Sequence, residues 1–308
     1  MTRFLVTGVS GLLGLNFALA VDGKTHQVTG VANTRPMPWA SFTNVKADLT
    51  HPGIVENLIE THKPEVLVHC AAMANVDACE AQPEQAALVN AELPGVIAAA
   101  CRKHSLRLIH ISTDAVFDGK TGNYSEEDTP NPLGVYARTK LDGEMAVLST
   151  NPDALVVRVN FYGWSAAGNR SLAESFVNNL ADGKGMMGFT DIHFSTLNVL
   201  DLSALLVEVS ALDLHGVYHM VGAQAMSKYQ FGIKIAEKFG FDPSLIRPVS
   251  IHESGLKATR SPNLTLYTDK LRAALHHELP EFGMGLQKFY DQYRHGYPEY
   301  LKSLVLPT

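Results

Sequence analysis

Tyr136 and Lys140 stand four residues apart in Tyr136-Ala-Arg-Thr-Lys140, a spacing that puts both side chains on one face of a helix. A free phenol titrates near pH ~10, too high for easy proton exchange at neutral pH. A lysine ammonium about 4 Å away at an effective dielectric of about 20 contributes roughly 4 kcal/mol. Undiminished, that is on the order of three pK units, enough to make the phenol a working acid. Many helices carry this pair by chance, so its company decides its meaning. Upstream, Ile109-His110-Ile111-Ser112-Thr113-Asp114 reads as a strand ending in a hydroxyl pair. There Thr113 can donate a hydrogen bond to a carbonyl, with Asp114 beside it. His69-Cys70-Ala71-Ala72 ends an earlier strand in small residues that let a flat ligand pass close to the backbone.

These groups need a frame, and the first residues supply its signature. Phe4-Leu5-Val6-Thr7-Gly8-Val9-Ser10-Gly11-Leu12-Leu13-Gly14 reads as strand, tight turn and helix. Gly8 permits the turn, Gly11 lets a diphosphate approach the backbone, and Gly14 lets the helix pack on the strand. The N–H groups around Ser10, Gly11, Leu12 and Leu13 then meet the anion. The spacing is GxxGxxG rather than GxGxxG. After the second strand, Val31-Ala32-Asn33-Thr34-Arg35 lacks the carboxylate that binds the ribose of NAD. Arg35 can instead pair with a 2′-phosphate, which favours NADP(H) with NAD(H) as the alternative, unless Arg35 is simply solvated. Asp48, next to Leu49, can accept from an adenine amino group or cap a helix beginning near Pro52.

The expected elements alternate. Strands are read at Phe4–Val6, Gln27–Val31, Val45–Ala47, Glu65–His69, Leu106–Ile111 and Leu155–Val159. Helices are read at Gly11–Val21, Ile54–His62, Pro83–His104 and Tyr136–Leu148. This order predicts an α/β fold, a Rossmann-like doubly wound parallel sheet over residues 1–165. Residues 166–308 read as a smaller, partly interleaved lobe that is mainly substrate-binding. Helices are expected at 171–182, 200–212, 228–239 and 284–302. Segments at about 190–222, including a strand at Val217–Val221, return to the main sheet. Asn90, on the long Ala-rich helix, either touches the cofactor or catalytic lysine or packs helices.

The chain of 308 residues is 46% apolar and 18% charged, with Lys plus Arg 25 against Asp plus Glu 31. No basic run stands out, which argues against a nucleic-acid partner, and an anionic ligand would need a local cationic pocket. Cys70, Cys79 and Cys101 form no CxxC pair, so a reducing cytoplasm fits best. Thirteen histidines show no metal-ligand spacing, and no metal is expected. Residues 4–21 are apolar and Ala18-Leu19-Ala20 resembles a signal-peptidase site, but cleavage would remove the glycine motif. No later stretch is apolar enough to span a membrane. The stripe of Phe289, Tyr290, Tyr293 and Tyr297 reads as core or subunit contact, with a homodimer as the candidate assembly.

The glycine turn, Cys70-Ala71-Ala72, Val76-Asp77-Ala78-Cys79-Glu80, Val89-Asn90-Ala91, Ser112 through Gly119, and Asn131 through Glu144 together resemble the extended short-chain dehydrogenases. Within them the chain is most similar to the dTDP-4-dehydrorhamnose reductase branch, with the related regulatory subunit of methionine adenosyltransferase. The resemblance spans nearly the whole chain and is densest over 1–165. It implies Thr113, Tyr136 and Lys140 as the catalytic set and a nucleotide-sugar as substrate. It implies cofactor contacts from the glycine turn, Cys70, Ala71, Ala72, Asn90, Ser112, Tyr136 and Lys140, and sugar contacts from Thr113, Asp114, Asn160 and Arg260. It leaves two further readings: an epimerase or dehydratase of the same superfamily, and a non-catalytic subunit that binds NADP and a partner enzyme. The chain departs from the branch at Ala115, where an aromatic is usual. It departs again after Arg158, where Val159-Asn160-Phe161-Tyr162-Gly163 replaces the usual Trp. The interval from Thr113 to Tyr136 is also shorter than in typical members.

Overall fold

Along the first strand, Phe4 and Val6 turn to one side and Leu5 to the other, and each side meets its own apolar core. That double burial is what a parallel sheet covered on both faces demands. In the computed structural model, which describes residues 1–23, 25–253 and 261–305, the chain alternates strand and helix. The order opens with β1 (Thr2–Thr7), α1 (Leu12–Val21), β2 (His26–Ala32), β3 (Thr43–Lys46), α2 (Ile54–His62) and β4 (Val66–His69). It continues with α3 (Val76–Ala81), α4 (Pro83–Ala87), α5 (Leu93–Lys103), β5 (Arg107–Thr113), α6 (Val135–Thr150) and β6 (Leu155–Val159). Next come β7 (Phe161–Tyr162), α7 (Leu172–Ala181), β8 (Met186–Phe189), β9 (His193–Ser195), β10 (Leu197–Asn198), α8 (Val199–Ser210) and β11 (Gly216–Met220). The last elements are β12 (Ala225–Ser227), α9 (Lys228–Phe239), β13 (Ile246–Val249), β14 (Asn263–Leu264), α10 (Asp269–Leu275), α11 (Phe282–Arg294) and α12 (Tyr297–Ser303).

Seven strands form one sheet in the order β11-β6-β5-β4-β1-β2-β3. Every pair in it is parallel. The chain starts in the middle and winds first one way and then the other, so the order reverses between β1 and β4. The carboxyl ends of those strands splay apart there and leave the crevice in which doubly wound sheets bind ligands. One face packs on α2, α5 and α6 through Leu58, Ile97 and Val147. The other packs on α1 and α8 through Phe17 and Leu206, and runs into the aromatic core around Phe176, Phe231 and Phe289. Residues 4–21 are thus core strand and core helix, with Ala18 fully buried.

The expected elements are found, with differences that have local causes. The helix expected at Pro83–His104 is interrupted by a π-helical turn at Leu88–Glu92, and α3 precedes it unanticipated. Gly143 of α6 explains the close packing at that turn, because a Cβ there would stand 2.2 Å from the Asn90 carbonyl. The helix expected at 284–302 breaks at Gly296, whose φ of 72° is left-handed. The strand read at Val217–Val221 is β11, paired with β6 at the sheet edge. Three small sheets, β10-β7, β12-β9-β14 and β13-β8, lie outside the main one. Short strands of two to four residues carry too little periodicity to be read in advance. In the aromatic stripe, Phe289 stacks on Trp164 with centroids 4.1 Å apart, and the Tyr297 hydroxyl donates to Asn16, so both belong to the interior. Among the described residues no helix is long and apolar enough to cross a membrane.

Thr7, His69 and His110 form a row across adjacent strands, at the ends that face the crevice. The Thr7 hydroxyl accepts from the Ala71 N–H at 3.1 Å and lies 2.7 Å from His69 Nδ1. The two imidazoles lie 5.2 Å apart, and neither ring nitrogen of His110 has a hydrogen-bond partner among the described residues. Burial, helped by the Lys140 charge, drives the His69 pKa down to about 3 and that of His110 well below 6.5. A base with a depressed folded pKa stabilises the fold above its unfolded pKa and loses that contribution as pH falls. Between about pH 8 and pH 5, His69 alone costs about 2 kcal/mol. Asp114, raised to about 6 by burial, acts in the opposite sense over this window, so a difference measurement is needed. Urea unfolding of wild type and His110→Leu at pH 8 and pH 5 should show the variant losing less stability on acidification. Equal losses would mean that His110 is not held neutral by the fold.

Candidate active site

The turn that opens the crevice is dictated by Gly8. Its φ is +69°, and a Cβ there would sit 2.7 Å from the Ala71 backbone. Gly8 and Val9 donate to the Val31 carbonyl, so the turn is pinned to the end of β2. Gly11 then caps α1 without any side-chain hydrogen bond, which leaves the first-turn N–H groups free to meet an anion.

A cleft of about 1820 Å³ runs past this turn. It gathers Gly8, Ser10, Gly11, Leu12 and Leu13 from the turn and helix start. Arg35 after β2, Asp48 and Leu49 after β3, and Cys70, Ala71 and Ala72 after β4 line it as well. These are the residues read from the sequence as cofactor ligands, and the fold brings them to one surface. Asp48 accepts from the Thr50 hydroxyl at 2.7 Å and the Thr50 N–H at 3.0 Å, which hold its carboxyl below the usual range. It does not cap α2, whose N-cap is Gly53. Asn90, Ser112, Tyr136 and Lys140, also read as cofactor ligands, are not among the residues that line the cleft. Asn90 is buried in the π turn, accepting from the Met73 N–H at 2.8 Å and donating to the Met73 carbonyl and Thr139 hydroxyl. Ser112 gives its hydroxyl to Glu144 on α6.

Tyr136 and Lys140 sit on α6 beside β5. Lys140 is buried and donates to the Ile111 carbonyl at 2.7 Å. Ile111 and Cys70 line the cleft, so the ammonium lies against its wall. Burial lowers the Lys140 pKa to about 8, against the Glu144 carboxylate that raises it. The Tyr136 phenol hydrogen-bonds Thr113, and burial pushes its pKa up to about 12. This corrects the expectation that Lys140 lowers it. The ammonium is turned to the Ile111 carbonyl and acts on His69, His110 and Cys70 instead.

Thr113 also bonds Asp114 at 3.1 Å, and the Asp114 carboxylate accepts from Asn160 at 2.7 Å. Tyr136, Thr113, Asp114 and Asn160 thus form one hydrogen-bonded run along the ends of β5 and β6. Burial raises the Asp114 pKa to about 6 despite those bonds. Arg260 lies outside the described residues. Its neighbour Ser261 donates to the Phe117 carbonyl at 3.3 Å, close in sequence to Thr113.

Sequence reasoning missed the far wall of the cleft. Trp39, Asn169, Arg170, Lys302 and Ser303 all line it. No motif marks them, because tertiary packing brings them in from the loop between β2 and β3, from the loop after β7 and from α12. The buried pair of Glu144 and Arg158 was missed for the same reason. Arg158 Nη2 lies 2.8 Å from Glu144 Oε2, and Nε shares both oxygens.

A family model described as RmlD substrate binding domain matches residues 2–295. The probable low-salt glycan biosynthesis reductase Agl14 of Haloferax volcanii is 35% identical over 246 residues, 78% of this chain and 81% of that one. Methionine adenosyltransferase 2 subunit beta of Rattus norvegicus is 33% identical over 298 residues, 93% of this chain and 86% of that one. The crystal structure of dTDP-4-dehydrorhamnose reductase from Bacillus anthracis, in complex with NADP, superposes with a TM-score of 0.84 at 24% identity. It covers 94% of this chain and 99% of that one.

The depressed pKa of Lys140 fixes a pH window. The ammonium is present below about pH 8 and lost above it. If it helps hold a dinucleotide, affinity for NADPH should weaken by about tenfold between pH 7 and pH 9.5 in wild type. Lys140→Met should bind weakly and show no such slope. Isothermal titration across that range checks this, and a flat wild-type profile would remove the charge of Lys140 from ligand binding.

Proposed function

We propose that this chain, which belongs to the RmlD substrate binding domain family, is an NADP(H)-dependent reductase of a nucleotide-activated 4-keto-6-deoxysugar. The observation that carries the reading is the hydrogen-bonded run from Tyr136 through Thr113 and Asp114 to Asn160. A cleft lined with a surplus of cations accompanies it. Among the described residues, Arg35, Arg170 and Lys302 line that cleft against one carboxylate, Asp48, although the chain as a whole has more acids than bases. A nicotinamide dinucleotide fits the uncapped start of α1 and the close approach at Gly8, and when bound it supplies a hydride. Arg35 and the missing carboxylate after β2 favour the 2′-phosphorylated form, and NAD(H) is the alternative.

The chain's own groups then have distinct tasks. Tyr136, held by its hydrogen bond to Thr113, gives its proton to the substrate oxygen. Thr113 orients the carbonyl. Asp114, bonded to Thr113 and Asn160, holds that hydroxyl in place and faces the sugar. Lys140 secures the ribose end of the dinucleotide from the cleft wall. In this reading residues 1–165 hold the dinucleotide and 166–308 mainly the sugar, and the enzyme works in the cytoplasm. The 35% identity to a reductase supports it. The likeness to methionine adenosyltransferase 2 subunit beta favours a second reading, a regulatory subunit that binds the dinucleotide without turnover.

Tyr136→Phe separates the two. The change removes one oxygen, so folding and NADPH affinity should stay near wild type. Consumption of NADPH with the best substrate from a panel of nucleotide-activated 4-keto sugars should fall by roughly 100-fold or more. A regulatory subunit would show no turnover in either protein and would retain a partner enzyme in a pulldown. Wild-type turnover in the Phe variant would remove Tyr136 as the acid.

A further inference from the structure

Asn16 lies in the middle of α1, one turn beyond the glycine motif, and is completely buried. Its amide donates to the Leu12 carbonyl and to the Trp164 carbonyl, both at 2.8 Å. Its oxygen accepts from the Tyr297 hydroxyl at 3.0 Å. One side chain thus ties the first turn of α1 to the loop after β7 and to α12. A buried amide with its polar atoms satisfied from three elements fixes their relative position.

Both tethered segments carry a cation into the cleft. The loop holding Arg170 is rigid, because buried Glu174 accepts from the N–H groups of Ser165, Arg170 and Ser171 at 2.7, 2.8 and 3.0 Å. Lys302 extends from α12 along Gly168, where a Cβ would stand 3.4 Å from its Cε. Arg170 and Lys302 are both exposed and line the cleft together with Ser10, Gly11 and Leu12. Among the described residues neither side chain has an ion-pair partner. Arg35 also lines the cleft but follows the second strand, away from the Asn16 tether.

We propose that Arg170 and Lys302 grip the diphosphate of a dinucleotide bound at the glycine turn, and that Asn16 is the positioning residue that sets them there. The proposal rests on the dinucleotide reading given above and adds a second, cationic side to its anion site. Backbone N–H groups at a helix start hold one set of oxygens, and two charged donors from a different part of the chain take the others. Because the diphosphate is common to NADPH and NADH, the grip does not choose between them, and that task stays with Arg35.

Isothermal titration of NADPH and NADH tests this. Lys302→Gln and Arg170→Gln should each weaken both dinucleotides by about fivefold to tenfold, with the unliganded melting temperature unchanged. Lys302→Arg should restore most of the loss. In an Asn16→Ala background, Lys302→Gln should add less than about twofold, because the cation is already misplaced. Should Asn16→Ala fail to fold, Tyr297→Phe removes one of the same bonds and serves in its place. Unchanged affinities in the two Gln variants would overturn the proposal. Loss confined to NADPH would overturn it too, assigning these cations to the 2′-phosphate. Full additivity with Asn16→Ala would remove Asn16 from the role. Wild type binding neither dinucleotide is a separate result, which defeats the cofactor reading itself.

Discussion

The buried pair of Glu144 and Arg158 holds the reacting groups in register. Glu144 lies one turn beyond Lys140 and two beyond Tyr136 on α6, and its side chain is 3% exposed. It takes the Ser112 hydroxyl from β5 and two guanidinium nitrogens from β6. Ser112 precedes Thr113, and Arg158 comes shortly before Asn160. The contact therefore locks the helix that carries the phenol to the two strands that carry its hydrogen-bond partners. Arg158 is held in turn by the Phe117 ring, 5.0 Å from its guanidinium, and by His219 at 3.4 Å. Such a pair adds little net stability once desolvation is counted, but breaking one partner leaves a buried charge. Its effect here is geometric, since a small rotation of α6 would part Tyr136 from Thr113.

A second constraint acts across the crevice. Gly8 brings the turn against Ala71, and Thr7 bonds both the Ala71 N–H and His69, so the exits of β1 and β4 are fixed relative to each other. Asn16 carries that order outward to the loop after β7 and to α12. The cleft thus has one wall built from the parallel sheet and another built from segments far away in the chain. Its cation-lined part suits an anion.

What could be read in advance was whatever is encoded locally. The glycine turn, the small residues after β4, the hydroxyls after β5 and the Tyr136–Lys140 spacing are short patterns tied to one turn, strand end or helix face. The fold class followed from buried strands alternating with helices. Arg170 and Lys302 stayed hidden because only tertiary packing brings them to the cleft. The partners of Ser112 and Asn90 could not be read either, because strand and helix position alone does not say which neighbour a side chain bonds. The charge argument for Tyr136 failed for a related reason. Helical spacing put Lys140 on the right face, but the Ile111 carbonyl captures its ammonium. The π turn at Leu88–Glu92 and the break at Gly296 left only weak marks in an otherwise helical pattern.

If the cleft and the Tyr136 run carry out a net reduction at a sugar carbonyl, hydrogen from the dinucleotide must end on the sugar, and an isotope follows it. Wild-type protein is incubated with a nucleotide-activated 4-keto-6-deoxysugar and NADPH deuterated at the transferring position, and the product is read by mass spectrometry and proton NMR. One deuterium bound to the sugar C4, with one NADPH oxidised per product, is the expected result. A substrate converted without net NADPH oxidation, or no sugar product from any member of the panel, would contradict it.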